Sequence, residues 1–555
     1  MTEHMEFADQ LAGYVESEHP EFLVNKLYYD AYKKDMTAGT YPDVRSGLQK
    51  LLKDGLLLFN YTGHGGTTAL SDEKVLTQTD INQFTYTHLP VWVTATCDFT
   101  RFDDLNTSAG EDVFLNKSSG GIALFTTVRV AYSRPNFPIN DNVIRNLFER
   151  NNGRRRTLGE VMQATKNTLS SVYKLGFCLI GDPAVKMAYP EFGMKVTTVN
   201  GQSVDGNSIS FKALEKITVE GEVLDASGQL VTDFTGIVNP TVKDSKVTVT
   251  CLKNSNKDDS PAFTFTDYPN TIFIGNDSVR NGKFSFTFTV PKDISYSNLQ
   301  GKMNLYAVDT ESGNEAQGNF DNFIVGGTSD TAETDTIGPE IRALYLNDTT
   351  FMDGGQVNTT PYFVAELWDK SGVNITGSSV GHDMMLVIDE STVLSYNLNS
   401  YYELLPGEDG TGIVKFPIPA LEPGKHTAEF WVWDILNNST VRTFTFEVVE
   451  GLKPFLFDVI ATPGIAREQV TFHLMHNRPE SRMRVGIMVY DLAGRQLWKH
   501  EESGTSGLFE NYTVSWDLTS GGARMRPGVY IYRAAISTDN SKDATKARKF
   551  IILGE

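Results

Sequence analysis

Residues 56–66 read LLLFNYTGHGG and residues 90–97 read PVWVTATC. Each is a short apolar run that stops abruptly, the first at His64 between glycines and the second at Cys97. A third run, Gly121 to Thr127 (GIALFTT), lies downstream. Apolar runs of this length, separated by helical segments, are the pattern of strands buried on both faces of a parallel sheet. The segments around them supply the helices. Phe7 to Val15 has helical apolar spacing. Tyr41 to Leu52 carries Pro42 near its start and Val44, Leu48, Leu51 and Leu52 along one stripe, with Gly55 closing it. Asn142 to Glu149 and Leu158 to Tyr173 read as two more. The alternation predicts an α/β region over residues 1–192.

In open parallel sheets ligands bind beyond the carboxyl ends of the strands. His64 and Cys97 sit at two such ends, so they are positioned to face one crevice. The residue types suit nucleophilic catalysis. The thiolate is the reactive form of a cysteine whose free pKa is roughly 8.5, and a neighbouring imidazole both lowers that value and protonates a leaving amine. Glycines around the histidine let the backbone approach closely. The amides of Gly65 and Cys97 are candidate donors to a developing oxyanion, each such donor being worth roughly 2.7–4 kcal/mol. The residues alone leave a second reading open: a strand-end cysteine also serves as a small buried hydrophobe, and a histidine between glycines as a loop residue. Cys178, in the apolar run Phe177 to Ile180, and Cys251, on a predicted strand, read as core residues.

Beyond residue 192 the texture changes. Runs rich in Val, Thr, Phe and Tyr alternate with Gly, Asn, Asp and Ser, and Lys216 to Leu224, Lys246 to Leu252 and Lys283 to Val290 alternate as strands do. This spacing predicts β-sandwich modules over 193–327, 338–450 and 453–555, with the polar stretch Gly326 to Thr336 (GGTSDTAETDT) as a linker.

The chain has 555 residues, enough for three to five cores on a prior of roughly 100–200 residues each. Its formal net charge of -20 disfavours nucleic-acid binding, which needs clustered cations. Three dispersed cysteines form neither a disulfide framework nor a zinc pattern. No signal peptide and no membrane-length apolar run is visible. His382 before Asp383 is too small a set for a metal site, and Asp258-Asp259 lacks a calcium-loop pattern. No metal and no cofactor is expected.

YTGHGG, followed 33 residues later (97 − 64) by a cysteine ending an apolar strand, resembles the gingipain family of cysteine peptidases. So do Ser108 to Leu115 (SAGEDVFL), Gly120 to Ala123 (GGIA), Thr157 to Lys166 (TLGEVMQATK) and Leu179 to Pro183 (LIGDP). The resemblance implies a caspase-like α/β catalytic domain with His64 and Cys97 as its dyad and Tyr132 at a pocket wall. Arg129 is a weaker candidate beside it. Only 63 residues precede His64, so the resemblance also implies a domain that is partial at its N-terminal side, followed by immunoglobulin-like β-sandwich modules. The last module, with VGIMVYDLAGR (485–495), PGVYIYR (527–533) and KFIIL (549–553), resembles a type IX secretion C-terminal domain. That architecture implies a cell-surface sortase at the outer membrane of a Gram-negative bacterium. Its partners would be secreted cargo with C-terminal sorting domains, type IX secretion components, and lipopolysaccharide as acyl acceptor. Two alternatives remain: a non-catalytic outer-membrane docking protein, and a secreted gingipain-like protease.

Overall fold

The computed structural model describes residues 2–84, 86–117, 119–151, 153–254, 261–329, 335–377, 381–405, 410–538 and 541–554. Asp258, Asp259 and part of the expected linker (330–334) lie outside the described residues. The chain divides into two compact units. The first comprises Met1–Phe211, Ile217–Phe288 and Ser295–Gly327; the second comprises Lys212–Lys216, Thr289–Ile294 and Thr328–Glu555.

The first unit begins with a four-stranded sheet ordered β1 (Leu58–Thr62), β2 (Val91–Ala95), β3 (Ala123–Thr127) and β4 (Phe177–Ile180). The first three strands run parallel, as the apolar runs predict; β4 closes the sheet antiparallel. Every residue of β2 and β3 is buried, because helices cover both faces. Val91, Val93, Ala123 and Phe125 face α1 (Thr2–Glu18), α5 (Ser133–Phe148) and α6 (Leu158–Thr168). Trp92 and Leu124 face the opposite way, onto α2 (Pro42–Asp54), α3 (Gln78–Gln83) and α4 (Ala109–Leu115). The period-2 alternation of a strand thus divides one apolar run between two cores.

Three helix boundaries differ clearly from the expected ones. α1 begins at Thr2 rather than Phe7. α5 begins nine residues before Asn142: Pro135 falls in its first turn, where a missing N–H costs nothing, and the helix continues through Pro138. α6 stops at Thr168 rather than Tyr173. Ser171 Oγ accepts from Tyr173 N there and opens a 3₁₀ turn over Val172–Gly176.

The rest of the first unit is β structure. It includes a nine-stranded sheet, a three-stranded sheet and a ribbon of Val247–Thr250 with Thr264–Asp267. The ribbon packs on the α/β layers through Tyr28, Cys251 and Phe265.

In the second unit, Glu340–Leu346, Tyr362–Trp368, Thr411–Pro417 and Tyr402–Leu404 form one sheet. A five-stranded sheet around Gly424–Trp433 and Ser439–Val448 faces it over an apolar core. Leu456–Thr462, Val470–His476 and Tyr512–Trp516 likewise oppose a five-stranded sheet centred on Gly528–Ser537. Both are immunoglobulin-like sandwiches, and in the second, buried residues alternate with more accessible ones along Val470–His476 and Tyr512–Trp516.

Candidate active site

β1 and β2 pair in parallel, and their last matched residues are Thr62 and Ala95. Two residues further along each chain come His64 and Cys97. Neighbouring strands lie about 4.8 Å apart, so both residues leave the sheet from adjacent strands at its carboxyl end.

The histidine loop is held from below. Tyr61 Oη donates to His64 O at 2.7 Å, and Ser71 N donates to the same oxygen at 2.8 Å. Burial pushes the Tyr61 phenol well above its ordinary pKa, so it stays a donor. The glycines permit close approach rather than an unusual φ. A Cβ on Gly63 would lie 2.5 Å from Tyr61 Oη, and one on Gly65 would lie 2.4 Å from Thr96 Oγ1. Gly65 therefore rests on the residue before Cys97.

The cysteine turn is tied to the end of β3. Thr127 Oγ1 donates to Thr96 O at 2.8 Å, Asp98 N to Arg129 O at 3.3 Å, and Thr100 N to Thr127 O at 3.1 Å. Asp98 takes φ 49°, a left-handed conformation that asparate tolerates better than most residues and that turns the chain sharply after the cysteine. Cys97 Sγ donates to Ala131 O at 3.1 Å and accepts from Ala131 N at 3.4 Å. Among the described residues no hydrogen bond joins His64 to Cys97. The His64 ring instead meets the His4 ring of α1 edge-on, with centroids 5.1 Å apart. Burial, and then the neighbouring His64, hold the His4 imidazole below its ordinary pKa. A largely apolar cavity of about 480 Å³ follows β1 from Leu56 to His64 and includes His4 in its wall.

Tyr132 is exposed at the start of α5, and its ring packs edge-to-face on Tyr173 at 5.9 Å. Arg129 pairs with Asp103 through bonds of 3.0 and 2.6 Å. Cys178, expected in the core, is only partly buried, because β4 is an edge strand. Cys251 is buried, and burial pushes its thiol up to about 11. His382 and Asp383 face different partners: His382 Nδ1 lies 2.6 Å from Asp293 Oδ2, while Asp383 Oδ1 accepts from Asn399 Nδ2. The fold also gathers Asp335, Asp369 and Asp434, each with an oxygen within 4.8 Å of the others. Oxygen donors of this kind suit a hard cation. Asp369 and Asp434 already accept from amides of their own turns, at Ser371 and Gly372 and at Leu436 and Asn438.

The contributions of His4, Ala131 and Tyr173 were not legible in the chain. Ala131 acts through its backbone, and the other two reach the site from elements distant in sequence.

Residues 1–188 match the model of peptidase family C25. That segment holds both His64 and Cys97. The gingipain-like α/β fold expected from the GHG and Cys stretches is the one this family C25 segment adopts. Among solved structures, the dimeric latent PorU from Porphyromonas gingivalis is 34% identical to this chain, over 93% of this chain and 47% of its own, with a TM-score of 0.33. The Arg-specific cysteine proteinase gingipain R (RgpB) is 18% identical over 51% of this chain and 56% of its own, with a TM-score of 0.25. The RgpB pro- and mature-domain complex from Porphyromonas gingivalis is 19% identical over 51% and 57%, with a TM-score of 0.25. The chain spans about half the length of the PorU chain. No curated protein matches it.

Proposed function

We propose that this chain carries the site of a cell-surface cysteine transpeptidase, a PorU-like sortase, with Cys97 as nucleophile and His64 as general base and acid. The observation that supports this reading most is that His64 and Cys97 each follow by two positions the last paired residues of two adjacent parallel strands, within the residues that match the family C25 model.

His64 takes the thiol proton, and Cys97 Sγ attacks the scissile carbonyl of the cargo. The amides of Gly65 and Cys97 receive the tetrahedral oxyanion. Collapse breaks the C–N bond, and His64 returns its proton to the departing amine, leaving a thioester. An amine of lipopolysaccharide then attacks that thioester and releases Cys97; with water in its place the outcome is hydrolysis. For the first step the thiol must leave Ala131 O and the imidazole must turn from His4 toward sulfur. The substrate is secreted cargo bearing a C-terminal sorting domain, and the site of action is the outer membrane of a Gram-negative bacterium, beside type IX secretion components.

The contacts of Cys97 with Ala131 and of His64 with His4 favour a second reading, a docking protein with an idle dyad. One experiment separates the two. The full-length protein is mixed with purified cargo and a small amine, and the products are weighed intact. The sortase reading expects cargo minus its signal plus the amine from the wild type, and none from Cys97→Ala or His64→Ala. Hydrolysis alone makes it a protease. Identical behaviour of wild type and Cys97→Ala leaves the docking reading.

A further inference from the structure

The peptidase reading leaves open which side chains the site accepts, and the inference here rests on that reading. Ala131 touches Cys97 Sγ through both its carbonyl and its amide. Its neighbours Val130 and Tyr132 are 63% and 64% exposed. The 3₁₀ turn Val172–Gly176 lies alongside them: Val128 N donates to Gly176 O at 2.8 Å, and the Tyr132 and Tyr173 rings are in contact. Val172 and Leu175 of that turn are exposed at 72% and 71%. Single exposed hydrophobics are ordinary, but a group of them beside a nucleophile marks a binding wall.

The two cations beside this wall are already engaged. Arg129 is held by Asp103 through two bonds. Lys174, in the middle of the turn, donates to the carbonyls of Lys166 and Leu169. An acidic substrate side chain placed here would lose water without meeting a free cation in Arg129 or Lys174, and a basic one would be desolvated against the same apolar surface with only the Asp98 carboxylate nearby, whereas an aromatic or aliphatic one would bury area against the two tyrosines.

We infer that the turn Val172–Gly176, with Tyr173 at its centre and Tyr132 opposite, forms a specificity wall that selects an apolar or aromatic side chain on the substrate polypeptide next to the scissile bond.

The test uses peptidyl acyloxymethyl ketones that differ only in the residue attached to the ketone: Phe, Arg or Asp. Cys97 displaces the carboxylate leaving group and forms a thioether, which is located on Cys97 by peptide mass. Iodoacetamide, which has no side chain for the wall to read, is the reference reagent in each protein. The expected result for the full chain is labelling by the Phe probe at least about tenfold faster than by either charged probe. Tyr173→Ala should bring the three rates to within about threefold of one another, and Tyr173→Phe should keep the preference, because the ring rather than the hydroxyl makes the contact. Equal rates in the wild type, or a preference that survives Tyr173→Ala, overturn the inference while His64-dependent labelling keeps the peptidase reading. Labelling by every ketone that is no faster than in His64→Ala removes the peptidase reading and the inference with it.

Discussion

Gly65, next to His64, rests directly on Thr96, the residue before Cys97. Its Cα stands where any Cβ would meet Thr96 Oγ1 at 2.4 Å and Thr96 Cγ2 at 3.3 Å, so rotating the threonine only exchanges one clash for another. Thr96 is itself buried and cannot move aside. Gly65→Ala is therefore expected to lift the histidine loop off the end of β2 while the sheet beneath stays folded. A displacement of about 1 Å between reacting groups can cost ~10²-fold in rate, and a loss of that order is the expected outcome. It is read as the rate of cargo cleavage alongside an unchanged circular dichroism spectrum. Adding Thr96→Ala removes both threonine atoms, leaves only the 3.3 Å approach to Ala69 O, and should restore most of the rate. A double variant as slow as the single one would show that the glycine acts some other way.

Two elements carry ionisable groups that report on their packing. Lys26 follows α1, its side chain is 2% exposed, and it donates to Asp9 at 3.0 Å, to Glu16 at 3.3 Å and to Thr266 O at 2.9 Å. It thereby fastens α1 to the ribbon strand Thr264–Asp267. Removing one partner of a buried ion pair strands the other charge and costs ~3 kcal/mol. Lys26→Ala should lower the melting temperature accordingly, and Lys26→Met, which keeps the apolar stem, should lower it less. In the C-terminal sandwich, His476 Nδ1 accepts from Arg478 N and Nε2 lies 2.8 Å from Ser506 Oγ. Burial, and then Arg478, depress its pKa to about 4. The unfolded chain, with a histidine pKa near 6.5, therefore binds the proton first. The stability this neutral imidazole contributes is complete above pH ~6.5 and is lost as the pH falls toward 4, by up to ~3 kcal/mol. Melting at pH 7.5 and pH 4.5 should show the loss, and His476→Gln should flatten it.

At the scale of the whole molecule, each compact unit buries apolar cores of its own. Chains built this way seldom unfold in a single step. Calorimetry of the full chain should resolve at least two transitions. Acidification through the His476 range should move the one belonging to the second unit, and Lys26→Ala the one belonging to the first. A single transition that responds to both changes would contradict that division. The three cysteines are free, so reducing agent should shift neither transition.

What the chain alone determined is local. The apolar runs at 56–61, 90–96 and 121–127 marked β1, β2 and β3, because strands covered by helices on both faces are built mainly of apolar side chains. His64 and Cys97 stood out because polar residues reappear where such strands leave the core. Alternating Val, Thr and Phe marked the β-rich tail in the same way. The tertiary structure decided what depends on residues far apart in the sequence. Pairing Thr62 with Ala95 makes the strands that lead to the histidine and the cysteine neighbours, and the antiparallel return of β4 leaves Cys178 at a sheet edge. The packing of α1 brings His4 to His64, and Ser171 ends α6 early enough for a separate turn to carry Tyr173 to Tyr132. None of these has a periodic signature, because each is fixed by the packing of distant elements rather than by the spacing of neighbouring residues.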